Sequence, residues 1–235
     1  MKVGAWLLSC EHGGKRIPAA YRILFESAAA RVALDGHRGY DIGALGVARS
    51  LARRLDVRLF SHEVTRLLID ANRSIGHPSL FSEFTASLDA GARRAVIERH
   101  YLPHRKRIEQ AIAASARRPV CHIGVHSFAD TWGGERRRAD VALLYDPARP
   151  LERTLCREWK RALHEVAPVL RLRRNYPYRG AADGLTTALR RRFSPTRYVG
   201  IELEVNQALL CRAATRRKVV SAIADSLLRL RARSS

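Results

Sequence analysis

The chain has 235 residues, of which 46% are hydrophobic and 28% are charged, and this suits one globular domain with a sizeable core. No apolar run approaches the roughly 20 residues of a membrane-spanning helix, and the run at Val3–Leu8 leads into polar sequence without a signal-peptide cleavage site. These features argue against a membrane or exported protein, so we expect a cytoplasmic one. The net charge of +21 comes mainly from arginines scattered over helical stretches, which predicts weak, salt-sensitive nucleic-acid binding without sequence preference.

Apolar runs alternate with amphipathic stretches along the whole chain. The predicted elements are a strand at Val3–Ser9, a helix at Ile42–Leu55, strands at Val57–Ser61 and Leu67–Asp70, a helical region at Leu88–Ala116 that Pro103 breaks or kinks, strands at Val120–Val125 and Val141–Tyr145, a helix at Leu151–Val166, a strand at Tyr198–Val205 and a helix at Ala213–Leu230. This alternation predicts an α/β fold, with a mostly parallel or mixed central sheet and helices on both faces. With no repeat and no clear linker, residues 1–235 are expected to form a single domain.

Polar residues follow the apolar runs, where an α/β sheet usually carries its chemistry. His12 comes just after the first predicted strand and His126 ends another, so the two histidines are a plausible zinc pair. His122 competes with them, but in an extended strand it lies about 13 Å from His126 and cannot share one ion with it. A hydrolytic zinc site needs a third protein ligand, for which Asp41 is the candidate. The alternative for Asp41 is a helix N-cap.

The last predicted strand carries two glutamates in an apolar setting. Glu202 and Glu204 are two residues apart and share a face, so either one could act as the base beside a metal, and one could be an ordinary edge-strand charge. Asn72 and Arg73 follow another apolar run, and arginine is suited to bidentate recognition of a substrate carboxylate.

Seven strings between residues 9 and 207 resemble, in the same order, the N-formylglutamate amidohydrolase family. They are SCEHGGKRIP, YDIGA, TRLLIDANRS, GVHSFAD, VALLYDP, NYPYRGAADGLT and GIELEVNQ. Two of them are also similar to zinc-carboxypeptidase motifs, IDANR to the substrate-carboxylate motif and GVHSF to the second zinc-histidine motif. The resemblance implies zinc on His12 and His126, a substrate carboxylate on Asn72 and Arg73, and a catalytic glutamate that aligns at Glu204. It also implies a zinc-exopeptidase-like (phosphorylase/hydrolase-like) fold.

One position departs from the zinc-carboxypeptidase pattern. Those enzymes place a glutamate ligand three residues after the first histidine, where this chain has Lys15. Related peptidoglycan amidases take the ligand from the start of the following helix, which corresponds to Asp41.

These observations together predict a zinc-dependent hydrolase that cleaves the amide of a small N-acyl amino acid such as N-formylglutamate. Arg66, or an arginine from Arg136–Arg138, is expected to stabilise the oxyanion. The turn-rich string NYPYRGAADG is expected to line the substrate side with Asn175, Tyr178, Arg179 and Asp183; plain turn chemistry is the alternative. The competing functions are a peptidoglycan or peptide amidase and a carboxypeptidase-like hydrolase. A metal-free binding protein on the same fold would be expected to lack a ligand or the base, and neither is lacking here. A basic nucleic-acid-binding protein would not need His12, His126 and Glu204 in these positions.

Overall fold

Six strands form the central sheet of the protein in a computed structural model that describes residues 3–117 and 119–234, without the side chain of residue 234. They are β1 (Ala5–Cys10), β2 (Arg58–Ser61), β3 (Val120–Phe128), β6 (Val141–Leu144), β7 (Leu172–Arg174) and β8 (Tyr198–Asn206), and a separate hairpin joins β4 (Thr131–Trp132) to β5 (Glu135–Arg136). The strand order is β2-β1-β3-β8-β6-β7. The pairs are parallel except β6 with β8, so the predicted mostly parallel or mixed sheet is confirmed.

Seven labelled helices cover the sheet and its loops. They are α1 (Ala28–Asp35), α2 (Ala44–Leu55), α3 (Ala90–Val96), α4 (Leu102–Ala114), α5 (Pro150–Val166), α6 (Leu185–Arg192) and α7 (Ala213–Ser234). The predicted helical region at 88–116 is helical over 90–114, where a π-helical turn at Ile97–Tyr101 joins α3 to α4 and Pro103 lies in the first turn of α4. The chain changes helix type before this proline and is not broken at it. None of the helices in the described ranges is both long and apolar enough to cross a bilayer.

Successive side chains of a strand point to opposite faces of the sheet, and a different set of helices covers each face. On one face, Cys121, Ile123 and Val125 of β3 pack with α2, α5 and α7 around the fully buried Trp159. On the other face, Val120 packs with apolar side chains of α4 and α6. Every residue of β3 is buried, as expected for a central strand covered on both sides.

The predicted strand at Leu67–Asp70 is wrong. These residues form a turn and an extended loop, in which Leu68 N donates to Thr65 O and Asp70 N donates to Leu80 O. The run is apolar because Leu67, Leu68 and Ile69 are buried in a second core beneath the loops, which also contains Phe25 and Tyr101. A short apolar run bounded by turn residues does not distinguish a strand from a buried loop.

Candidate metal centre and active-site cavity

A cavity of about 600 Å³ opens at the carboxyl ends of β1, β3 and β8. It lies where polar residues that follow strands were expected to gather. The predicted site residues that line it are His12, Asp41, Arg66, Asn72, Arg73, His126, Tyr178, Arg179, Asp183 and Glu204. The fold therefore brings together residues that are up to 192 positions apart in the chain, from His12 to Glu204.

Three buried side chains converge at the base of this cavity. His12, Asp41 and His126 each offer a ligand atom, and these three atoms lie within 4.8 Å of one another. Oδ2 of Asp41 is 2.9 Å from Nδ1 of His126 and 3.4 Å from Nδ1 of His12. The His12 Nδ1 atom is buried without a hydrogen-bond partner among the described residues. Two imidazole nitrogens and one carboxylate oxygen form a donor set that fits a zinc ion and leaves a coordination position for water.

Each histidine turns its far nitrogen toward a second buried carboxylate. His12 Nε2 donates to Asp70 Oδ1 over 2.6 Å, and His126 Nε2 lies 3.1 Å from Glu11 Oε2. Such outer carboxylates fix the ring orientation and the tautomer of histidines that bind metal. They leave both Nδ1 atoms directed at the same point beside Asp41.

Arg66 holds the two aspartates of this cluster in place. Its guanidinium donates to Asp41 Oδ1 over 3.3 Å and to Asp70 Oδ2 over 3.0 Å. Burial by itself would raise the pKa of Asp41, but charge on His12 and hydrogen bonds from both histidines hold that pKa well below its usual range. Asp41 is therefore an anion that is ready to bind a cation.

Asp41 does not cap α2, because the residue at the N-cap is Gly43. Gly43 has a φ of 82°, and an added Cβ would come within 2.9 Å of Leu210, so glycine suits this turn on both counts. The turn leaves the Asp41 side chain free to face the histidines. Lys15 lies outside the cavity and pairs with Asp35 on the surface.

The two glutamates of β8 have different surroundings. Glu204 is paired in register with His126 on β3, is 5% exposed, and its Oε2 has no hydrogen-bond partner among the described residues. Glu202 accepts a hydrogen bond of 2.8 Å from Thr186. Burial raises the pKa of Glu204 to about 8, the charges of Asp41 and Glu202 act in the same direction, and charge on His126 opposes them. An unpaired carboxyl with a pKa in this range can exchange a proton near neutral pH.

The loop after residue 70 forms one wall of the cavity together with the loop before α6. Asn72 Oδ1 accepts from Leu185 N over 2.7 Å, and Arg73 donates to the backbone oxygen of Asp183 over 3.0 Å. The Asp183 carboxylate accepts from the backbone nitrogen and the hydroxyl of Ser74. These contacts connect the two loops and set the positions of Asn72 and Arg73 in the cavity wall.

Asn175 is not among the residues that line the cavity. It has a φ of 50°, and its Oδ1 accepts from Tyr145 N and Gly180 N, so it stabilises the turn of its own loop. The sequence allowed two roles for Asn175, in substrate contact or in a turn, and its hydrogen bonds are those of a turn residue. Tyr178 and Arg179, from the same loop, do line the cavity.

The three arginines at 136–138 also lie outside the cavity lining. Arg136 is exposed and pairs with Asp130. Arg137 is buried, and its guanidinium lies 5.2 to 5.8 Å from the ring centres of Phe128, Trp132 and Tyr178. Arg66 is therefore the candidate oxyanion donor that reaches the cavity itself.

His122 lies apart from the metal centre, as the spacing along the strand predicts. Its Nε2 is 2.6 Å from Ser9 Oγ, and its Nδ1 is 2.8 Å from Tyr198 Oη. Burial lowers the pKa of His122 to about 4, so the ring is neutral at pH 7. It connects three neighbouring strands from within the core.

Sequence reasoning missed several residues of the site. Glu11 directly precedes His12, but its contact with His104, 3.5 Å from Nε2 to Oε1, depends on packing that no local pattern predicts. Trp132, which is 58% exposed and lines the cavity, lies in a hairpin that the sequence could have predicted. Gly133 and Gly134 both have positive φ, and a glycine pair between two short extended segments is typical of a tight hairpin.

Known proteins resemble this chain over most of its length. Residues 4–211 match the model of the N-formylglutamate amidohydrolase family. Among solved structures, a gene product of Agrobacterium tumefaciens is 27% identical, with a TM-score of 0.80 over 98% of this chain and 91% of that one. The N-formylglutamate amidohydrolase of Ralstonia eutropha is 18% identical, with a TM-score of 0.72 over 99% of this chain and 96% of that one, and it supports the fold. No curated protein sequence matches the chain significantly.

Proposed function

The chain belongs to the N-formylglutamate amidohydrolase family and is a hydrolase of amides, and from this premise we propose that it is a zinc enzyme that cleaves the amide of a small N-acyl amino acid such as N-formylglutamate. The observation that carries the proposal is the convergence of His12, Asp41 and His126, with ligand atoms within 4.8 Å of one another, beside the unpaired carboxyl of Glu204. Their burial at the base of a cavity of about 600 Å³ suits a small substrate.

His12, Asp41 and His126 would hold the metal. A zinc ion held there would supply Lewis acidity toward the amide carbonyl and would lower the pKa of a water. Asp70 and Glu11 keep the two histidines in the orientation that binds the ion. The Asp41 carboxylate would neutralise part of the charge of the ion, and Arg66 orients this carboxylate.

Glu204 is the proposed proton carrier. The attacking water adds its oxygen to the acyl carbon and gives a proton to Glu204, which returns it to the amide nitrogen as the carbon–nitrogen bond breaks. The products are the free amino acid and the acid of the acyl group, formate for a formyl substrate. Glu204 suits this step because no hydrogen bond within the described chain competes for its Oε2. Glu202 is instead held by Thr186 and would orient neighbouring groups.

Asn72 and Arg73 are the proposed partners of the substrate α-carboxylate. Arginine pairs with a carboxylate through two parallel hydrogen bonds, and the backbone contact with Asp183 still leaves Arg73 with unused N–H groups. Tyr178, Arg179 and Asp183 would form the far wall. Arg66 has five N–H donors and uses two of them on aspartates, so it retains donors for the developing oxyanion.

Metal analysis of the purified protein, combined with a panel of N-formyl and N-acetyl amino acids, tests the proposal. We expect about one zinc per chain and the highest kcat/KM with an N-formyl amino acid that carries a free α-carboxylate. Removal of the metal with a chelator should abolish turnover, and added zinc should restore it. A metal-free protein with full activity, or a protein that prefers peptidoglycan fragments to every member of the panel, would overturn it.

A further inference from the structure

A second cavity, of about 810 Å³, lies between α2 and α7 on the surface of the protein. Six of the residues that line it are basic: Arg49, Arg53, Arg54, Arg216, Arg217 and Lys218. We refer to this cavity as the basic groove. Its other lining residues are small or uncharged, and no carboxylate is among them. The groove is separate from the active-site cavity, with which it shares no lining residue.

The groove exists because two amphipathic helices pack through their apolar faces. Leu51 of α2 and Ile223 of α7 are fully buried in the same core, and this leaves the charged residues of both helices along the cleft between them. Arg49 and Arg53 are four residues apart and so lie on the same side of α2. Like charges at this spacing destabilise a helix slightly. Arg217 and Lys218 add more positive charge to the same groove, so this cluster of cations does not stabilise the fold.

The positive charge of the groove is only partly neutralised. Arg49 pairs with Glu63 at 2.9 Å, and Arg54 pairs with Asp225 at 2.7 Å, both carboxylates lying outside the lining. Arg53, Arg217 and Lys218 are exposed and form no ion pair within the described ranges of the chain. Since exposed pairs contribute little in water, the groove presents a strongly positive field to its surroundings.

The density of this charge selects the kind of anion that fits. Four residues of helix rise only about 6 Å, so the cations of the groove lie close together. Duplex nucleic acid carries one negative charge per about 1.7 Å of its axis with both strands counted, and per about 3.4 Å along each strand, which is close to the tightest charge spacing of an extended acidic peptide. The phosphates of a duplex are already held in place, whereas an acidic peptide loses conformational entropy when the groove fixes it. A small mono- or dicarboxylate cannot satisfy so many cations at once. A duplex phosphate backbone matches the groove best.

The residues that line the groove also argue against recognition of unpaired bases and of base sequence. It contains no aromatic side chain on which an unpaired base could stack. Its charged groups are all exposed cations, which suit contacts with phosphates, and its only other polar side chains are the hydroxyls of Ser50 and Ser221. We propose that the basic groove is a docking site for the phosphate backbone of duplex nucleic acid, independent of sequence and distinct from amide hydrolysis.

Fluorescence anisotropy of the whole 235-residue chain, as purified, with a labelled 20-base-pair DNA over a series of salt concentrations tests the proposal. In the variant Arg53→Gln/Arg217→Gln we expect binding at low salt to weaken about tenfold or more. The slope of log K against log salt should become shallower by about 1.8, since each lost phosphate contact contributes about 0.9. Amide hydrolysis should be unchanged, because neither residue lines the active-site cavity.

The matched control is Arg191→Gln/Arg192→Gln, which removes the same charge from exposed positions at the end of α6, on the opposite face of the sheet. This variant should bind DNA nearly as well as the unmodified protein. An equal loss in both double variants would mean that net charge alone attracts DNA, and that result would overturn the proposal. So would poly-L-glutamate that competes as well as duplex DNA at equal charge concentration, because the groove would then bind polyanions without regard to phosphate.

Discussion

The replacement Glu204→Gln examines the proposed chemistry most directly. Glutamine keeps the size of the side chain, and Oε2 of Glu204 has no partner in the described chain, so no existing hydrogen bond is lost. The proposed metal ligands His12, Asp41 and His126 are untouched. What the replacement removes is the ability to accept a proton.

The expected size of the effect follows from that single loss. General acid–base catalysis contributes about 10²- to 10⁴-fold, so kcat should fall by at least about 100-fold, equivalent to about 2.7 kcal/mol in activation free energy. KM should change little, because the proposed carboxylate partners lie on a different loop. Zinc content should remain near one per chain.

The assay measures release of the free amino acid from the best substrate of the panel, beside metal analysis of the same preparation. Glu202→Gln is the matched control on the same strand face, roughly 6.5 Å away. Its amide oxygen can still accept from Thr186, so we expect less than about a fivefold loss. Near-normal turnover in Glu204→Gln, beside an inactive Glu202→Gln that retains zinc, would refute the assignment of the base.

Three further predictions concern the metal centre and the core. His12→Ala and His126→Ala should each lose the zinc while circular dichroism stays close to that of the unmodified protein; full zinc occupancy in the double variant would refute the site. Glu11→Gln should weaken zinc binding about 10- to 100-fold in competition with a chelator, because His126 loses the carboxylate 3.1 Å from its Nε2. An unchanged zinc affinity would show that Glu11 does not support the metal site. The pKa of His122 is lowered to about 4 by burial, against 6.5 when unfolded. As the pH falls, the His122 ring therefore takes up a proton in the unfolded state before it does so in the folded state. The contribution of this group should lower the free energy of unfolding by about 3 kcal/mol between pH 6.5 and 4. A free energy of unfolding, measured in urea, that stays constant over this pH range would contradict the prediction.

Much of the fold could be predicted because strands and amphipathic helices are local patterns. The continuous apolar runs of β3 and β8 are typical of buried central strands, and both were predicted close to their observed bounds. The spacing of apolar residues likewise predicted α2 and α5. The short elements α1, α6 and β7 were missed, since a few residues carry too little periodicity.

The direction and order of the strands were beyond local reasoning. β6 is antiparallel to β8, although alternating helices and strands predict parallel neighbours. The run at residues 67–70 has the composition of a strand and lies in a loop, because a second core beneath the loops buries it as completely as a sheet would. In both cases the residues that determine the local structure, those of β8 for β6 and those of the second core for residues 67–70, are distant in sequence.

The sequence alone determined which residues could do chemistry, because strand ends and the ordered motifs carry that information locally. Tertiary structure decided which of them act together. Asp41 could have been a helix cap until the fold placed Oδ2 between two histidine nitrogens, and Asn175 could have faced the substrate until its amide proved to hold its own turn. The carboxylates behind the histidines, from Glu11 and Asp70, have no local pattern at all. Their roles depend on contacts of a few ångströms between segments far apart in the chain, and such contacts exist only once the sheet has assembled.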